Sequence, residues 1–205
     1  MSAIPKEKRG RVKDLYLSGL PMREVALRLN VSIDAVTYAL RKNAVPRRSL
    51  KEASRLAFEA KIPSFVIRKS RSVLTREMEL IGAMLYWAEG YKRDTASGVD
   101  FANSDPDMAA LFFRFLKTRY VLDEQRLYFS VYHYADQNLA EITRFWSKKL
   151  GVSVSTFRHS YKKQNHNPHA RKLPYGVLRI RYNDKKLLRD VLSLIESQRR
   201  KYALR

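Results

Sequence analysis

The spacing of apolar positions divides the chain into a helical head, a polar connector and a mixed body. In the head, Lys8 to Leu17 places Val12, Leu15 and Tyr16 on one side of a helix, and Gly19-Leu20-Pro21 ends it. Met22, Val25, Ala26 and Leu29 fall at i, i+3, i+4 and i+7, one face of a second helix. Asn30-Val31-Ser32 is a tight turn, and Ser32 suits the N-cap of a third helix, Ile33 to Asn43, whose inner positions are Ile33, Val36 and Leu40. Residues 47–74 form a connector in which Leu50 to Ala60 reads as one short helix and Pro63 stops it.

In the body, three stretches share one pattern: VDFANSDPDMAALFFRFL, FSVYHYADQNLAEITRFW and VLRIRYNDKKLLRDVLSLI. Each is an alternating extended run that ends in an acid, Asp105, Asp136 or Asp184, placed to cap the helix that follows. Phe115, Trp146 and Leu194 sit at matching positions on those helices. Strands followed by covering helices predict an α+β fold, with helices on one side of an antiparallel sheet. Along Arg126–Tyr132, Leu127, Phe129 and Val131 point one way, and Arg126, Tyr128, Ser130 and Tyr132 the other. Along Val177–Tyr182, Leu178, Ile180 and Tyr182 oppose Arg179 and Arg181. The uncovered face is therefore expected to carry Arg, Tyr and Ser. One further helix, Thr75 to Ala88, is apolar nearly all round in its second half, which predicts burial or sharing between two chains. It ends in Glu89-Gly90, and a basic strand Tyr91-Lys92-Arg93 is expected to follow.

Charge narrows the partner. The 205 residues hold 41 Lys+Arg against 20 Asp+Glu, a net charge of +21, with 45% hydrophobic residues. Such a basic yet foldable chain favours a polyanion, nucleic acid before a membrane surface or a ribosome. The absence of cysteine excludes a disulfide scaffold, a cysteine-based zinc finger and a cysteine nucleophile. Leu80 to Ala88, the longest strongly apolar run, is too short to span a bilayer, and MSAIPKEKRG lacks a signal-peptide core. The expected location is cytoplasmic, beside the nucleoid. With no Gly-rich phosphate loop and no nucleophile–His–acid set, no small-molecule substrate is expected.

The first three helices have the pattern of a helix-turn-helix, and LPMREVALRLNVSIDAVTYALRKNAV resembles that motif in many bacterial regulators and resolvase-like proteins. Ile33–Asn43 is then the recognition helix, with Thr37, Tyr38, Arg41 and Lys42 exposed and Arg47 and Arg48 beyond it. The connector either tracks the DNA backbone or is a solvated linker; both give the same salt dependence. Lys162, Lys163, Arg171 and Lys172 make the loop after the second strand–helix unit basic. His159, His166 and His169 lie in or beside it, without a second ligand pair for a metal.

LIGAMLYWAEGYK followed by VDFANSDPDMAALFFRFL resembles the LAGLIDADG homing endonuclease family, over about residues 75–205. The resemblance implies an αββα-like saddle whose sheet enters the major groove, after a helix-turn-helix domain (1–46) and a basic linker (47–74). It implies a sequence-specific, metal-dependent double-stranded DNA endonuclease. One motif per chain implies a homodimer, with Gly82, Ala83, Leu85, Tyr86 and Ala88 at the interface. Glu89 of each chain would hold Mg2+ over the scissile phosphates, assisted by a basic side chain for which Lys92 and Lys172 are candidates by chemistry. Arg93, Arg126, Tyr128, Ser130, Tyr132, Arg179 and Arg181 would meet DNA. Met84 and Trp87 depart from the family's pattern, where a small residue and an acid are usual, and Glu89 replaces the more frequent Asp. Relatives of this fold also serve as non-cleaving transcription regulators, the alternative here, and some assist intron RNA folding.

Overall fold

A computed structural model describes residues 6–69, 72–164 and 173–202, and the side chains from residue 9 onward. The chain divides between Ile62 and Pro63 into two compact units.

The first unit is all helical: α1 (Lys6–Leu17), α2 (Met22–Leu29), α3 (Ile33–Lys42) and α4 (Leu50–Ala60). Val12, Tyr16, Val25, Ala26, Leu29, Val36, Ala39 and Leu40 form its core. Small Ala26 and Ala39 let the helices approach. Asn30 closes α2 in the left-handed region (φ 50°), which turns the chain into α3. Ser32 then accepts from the Ala35 amide at 3.1 Å, as the sequence predicts. Ile33 is 47% exposed, because as the first helical residue it projects outward, ahead of the buried Val36–Leu40 turn.

The second unit is mixed α+β. Its elements are β1 (Phe65–Ile67), α5 (Val73–Glu89), β2 (Val99–Asn103), α6 (Pro106–Arg119), β3 (Tyr120–Leu122), β4 (Leu127–Tyr134), α7 (Leu139–Leu150), β5 (Phe157–Lys163), β6 (Val177–Tyr182) and α8 (Lys185–Lys201). The main sheet has the order β2-β6-β4-β5. It is not purely antiparallel: β5 pairs parallel to β4, and α7 supplies the crossover that a parallel pair requires. β1 and β3 form a separate two-stranded ribbon. Phe101, Phe129, Val131, Leu178 and Ile180 turn one face of the sheet to the core, against Phe112, Phe115, Trp146 and Val191 of the helices. Phe112 stacks between Tyr86 (5.6 Å) and Phe101 (4.2 Å). Arg119, near the end of α6, bonds Asp190 of α8 at 3.1 and 3.2 Å and pairs with Glu79 of α5. Among the described residues no helix is long and apolar enough to cross a membrane.

The structure corrects several expectations of detail. The connector is not one segment: α4 belongs to the first unit and β1 to the second. Ser72 caps α5, accepting from the Thr75 amide at 3.1 Å, so the helix starts earlier than Thr75. Asn138, not Asp136, caps α7, because Gln137 and the turn before it carry the chain two residues further. Tyr91–Arg93 is not a strand; a single bridge between Gly90 and Phe101 precedes a turn. Arg126 lies in a 3-10 turn (Glu124–Arg126), bonded to the Asn183 carbonyl at 3.0 Å, and so leaves the sheet face.

The second unit begins at a polar clamp. The Asp184 carboxylate caps α8 through the Lys186 amide at 2.7 Å and accepts from the Ser64 amide (2.8 Å) and hydroxyl (2.7 Å). Burial pushes this carboxyl up, but the bonds from Ser64, Lys186 and Leu187 outweigh it and hold it below its ordinary value. A depressed folded-state value contributes stability above the unfolded value, about 4, and loses it as pH falls through the folded one. Asp184→Asn should therefore flatten the acid limb of thermal stability below about pH 4, read by calorimetry across a pH series. An unchanged limb would contradict the clamp.

Candidate nucleic-acid interface

The sheet face away from the helices is built by the alternation of β2, β6, β4 and β5. It carries Asp100 and Ala102; Arg179 and Arg181; Tyr128, Ser130 and Tyr132; and His159, Tyr161 and Lys163. Across the strands, Asp100 faces Arg181, which faces Tyr128, while Arg179 faces Ser130. The β4–β5 register shifts after Phe129, so Arg158 is the extra residue of a bulge. Arg158 and Arg181 both lie over the Tyr128 ring, at 5.4 and 5.5 Å, and the His159 ring meets its edge at 6.2 Å. Tyr161 stacks on Tyr132 at 4.6 Å, and the Lys163 ammonium lies 5.8 Å from the Tyr132 ring.

Aromatic rings thus form a floor and cations lie on it. Tyr128 and Ser130 are only 8% and 1% exposed, so they support the arginines and do not themselves present an open surface. Asp100 is buried among them. It accepts both Nε (2.7 Å) and an Nη of Arg179, and Arg181 Nε lies 3.5 Å away. Its hydrogen bonds to the Asp100 carboxylate, which outweigh burial, raise the Arg179 guanidinium above even the ordinary arginine range. Arg179 also donates to the Tyr132 hydroxyl at 2.9 Å.

Glu89 ends α5 at the rim of this face. It is exposed, and among the described residues its carboxylate has no hydrogen-bond or ion-pair partner. It lines an open cleft of about 380 Å3 with Asp100, Tyr132, Lys163 and Arg179. The turn beneath it is fixed. The Tyr86 hydroxyl donates to the Tyr91 carbonyl at 2.9 Å and accepts from the Asp100 amide at 3.3 Å; burial foremost pushes it up to about 12. Lys92 does not pair with Glu89. Its ammonium donates to the Trp87 and Gly90 carbonyls, both at 2.8 Å, closing the negative end of α5. Arg93 lies over the Tyr91 ring at 6.0 Å. Among the described residues no three His, Asp or Glu side chains converge as a metal site. One unpartnered carboxylate per chain does suit Mg2+, which keeps waters and takes one or two carboxylates with substrate phosphate.

The faces of α5 correct the interface expected from the motif. Gly82, Ala83 and Tyr86 point into this chain's own core. The Phe115 ring lies where a side chain at Gly82 would stand. The outward face carries Leu80 (37% exposed), Trp87 (38% exposed) and Ala88, flanked by half-buried Ile81, Met84 and Leu85.

In the first unit, α3 presents Tyr38, with the Arg41 and Lys42 cations 5.6 and 5.7 Å from its ring. Thr37 is half-buried, and its hydroxyl donates to the Ile33 carbonyl at 3.0 Å. Arg47 is exposed. Arg48 is not: its guanidinium lies 4.0 Å from the Tyr16 ring and donates to the carbonyls of Tyr16 and Leu20. Lys172, Arg171, His166 and His169 lie outside the described residues. The sequence reading missed Asp100 as the acid among the arginines, and Arg158 altogether. The alternation of FRHSYKK was the available signal for β5, but it has no β-branched residue to mark a strand.

No protein-family model matches the chain, and neither a curated protein nor a solved structure matches it.

Arg48→Ala should lower the stability of the first unit by about 1–3 kcal/mol, through the loss of charged hydrogen bonds, without reducing duplex affinity per folded molecule. Urea unfolding alongside a binding titration checks this. Lost affinity at unchanged stability would return Arg48 to the interface.

Proposed function

We propose that the protein is a sequence-specific double-stranded DNA endonuclease, acting in Mg2+ as a homodimer on a LAGLIDADG-type saddle, with a helix-turn-helix as a second DNA contact. The observation that carries this reading is the unpartnered Glu89 carboxylate at the rim of a cationic, aromatic-floored sheet face. Arg158, Lys163 and Arg181 give that face its charge, which suits phosphates. Tyr38, Arg41 and Lys42 give α3 the corresponding surface, with exposed Arg47 beyond its end. A chromosomal target places the protein beside the nucleoid.

The outward stripe of α5, Leu80, Met84, Trp87 and Ala88, runs towards Glu89. Packing that stripe on its own copy about a two-fold axis brings two Glu89 carboxylates together. They would hold the metal, and a divalent cation there supplies an activated water and stabilises the leaving oxygen. Lys163, in the same cleft, is placed to hold the phosphate; Lys92 is committed to the carbonyls of α5.

A second reading, a DNA-binding regulator that does not cut, is favoured by one fact. Asp100, the other carboxylate in the cleft, is held by two arginines and leaves Glu89, among the described residues, the single acid lining that cleft that is available to a metal.

The two readings separate on a fragmented genomic DNA library incubated in Mg2+ or in Ca2+. The endonuclease reading predicts discrete new ends in Mg2+, and at least ~100-fold less cleavage by Glu89→Gln with binding in Ca2+ unchanged. Enriched fragments without new ends would transfer the fold to the regulator reading.

A further inference from the structure

Asp100 is the one acid on the polar face of the four-stranded sheet, among the described residues. A carboxylate at the centre of a polyanion-binding surface lowers affinity for every duplex alike. What it supplies instead is geometry. A guanidinium has five N–H donors. Arg179 commits three within the chain: Nε and one Nη to Asp100, and the other Nη to the Tyr132 hydroxyl. Two N–H remain, one on each terminal nitrogen, and the O6 and N7 acceptors of a single guanine take two. Tyr132 is in turn held by the stacked Tyr161 ring, and the Arg179 side chain still reaches the surface at 24% exposure.

Arg158, across the sheet, contrasts with it. Among the described residues it has no acid beside it and bonds only the Gln125 carbonyl, and it lies in a bulge at the sheet's edge. Such an arginine is at liberty to follow a phosphate. One oriented by a carboxylate is not, because a phosphate approaching it meets the same carboxylate.

We propose that Asp100 is a specificity-determining residue: it fixes Arg179 as the reader of one guanine in the major groove and excludes phosphate from that guanidinium. The inference rests on the duplex-DNA reading above and extends it to one base.

The test is selection from a random duplex pool in Ca2+ by the wild-type protein, Asp100→Asn and Arg179→Lys, followed by salt titration on an unselected duplex. The wild-type protein should prefer guanine at one position of each half-site by about 10-fold or more. Both variants should lose that preference, since lysine cannot make the bidentate contact. Asp100→Asn should also bind the unselected duplex more tightly, with a salt slope steeper by about one phosphate. Retention of every base preference by both variants, with duplex binding intact, would overturn the role of Asp100 and leave the function standing. Uniformly weaker binding by Asp100→Asn, with guanine preference kept, would overturn it too. If Asp100→Asn does not fold, Arg179→Lys decides by the same preference. A wild-type protein that selects no duplex ends the function itself, and this inference with it.

Discussion

The close approach of α5 and α6 at Gly82 governs the geometry of the second unit. Without a side chain there, the Phe115 ring fills the space beside the α5 backbone, and Ala83 and Tyr86 also lie in the core. That contact fixes the rotation of α5. One side of the helix is spent on its own core, the opposite side keeps Leu80 and Trp87 outward, and the end of the helix delivers Glu89 to the rim of the sheet. Tyr86 extends the constraint beyond the helix, because its hydroxyl ties the following turn to β2 beside Asp100. The core contact and the candidate site are therefore one connected piece of structure.

The net charge of +21 is distributed between two tasks. Some cations are structural: Arg48 locks the turn before α4, Arg119 joins three helices' worth of polar groups, and Lys92 closes α5. Others lie on aromatic rings with no acid in contact among the described residues, as Arg158 does over Tyr128 and Lys163 near Tyr132. Burial and hydrogen bonding separate the two sets. Charge counting alone does not, since both are Arg and Lys in basic stretches of chain.

The parts of the fold legible in the sequence were those set by local periodicity. The helices of the first unit follow from the spacing of Val25, Ala26, Leu29, Val36 and Leu40, and β4 and β6 from alternation. The parallel β5 was not legible, because strand direction is decided by the α7 crossover and not by the residues of FRHSYKK. The resemblance at the end of α5 singled out Glu89 as a candidate, but the inner and outer faces of a helix apolar nearly all round depend on which neighbour reaches it first. Phe115 does so at Gly82, which moves the expected interface from Gly82, Ala83 and Tyr86 to Leu80, Met84 and Trp87. The salt bridge between Asp100 and Arg179 joins positions far apart in sequence, and only the β2–β6 register brings them together.

The central claim is that the polar sheet face and α3 both lie against duplex DNA. Hydrogen exchange, measured on the full chain with and without a duplex recovered by selection, tests it most directly. The account predicts new protection in peptides covering β4, β5 and β6 and the start of α3. Stable duplex binding that leaves the peptides over 157–163 and 177–182 unprotected would contradict it.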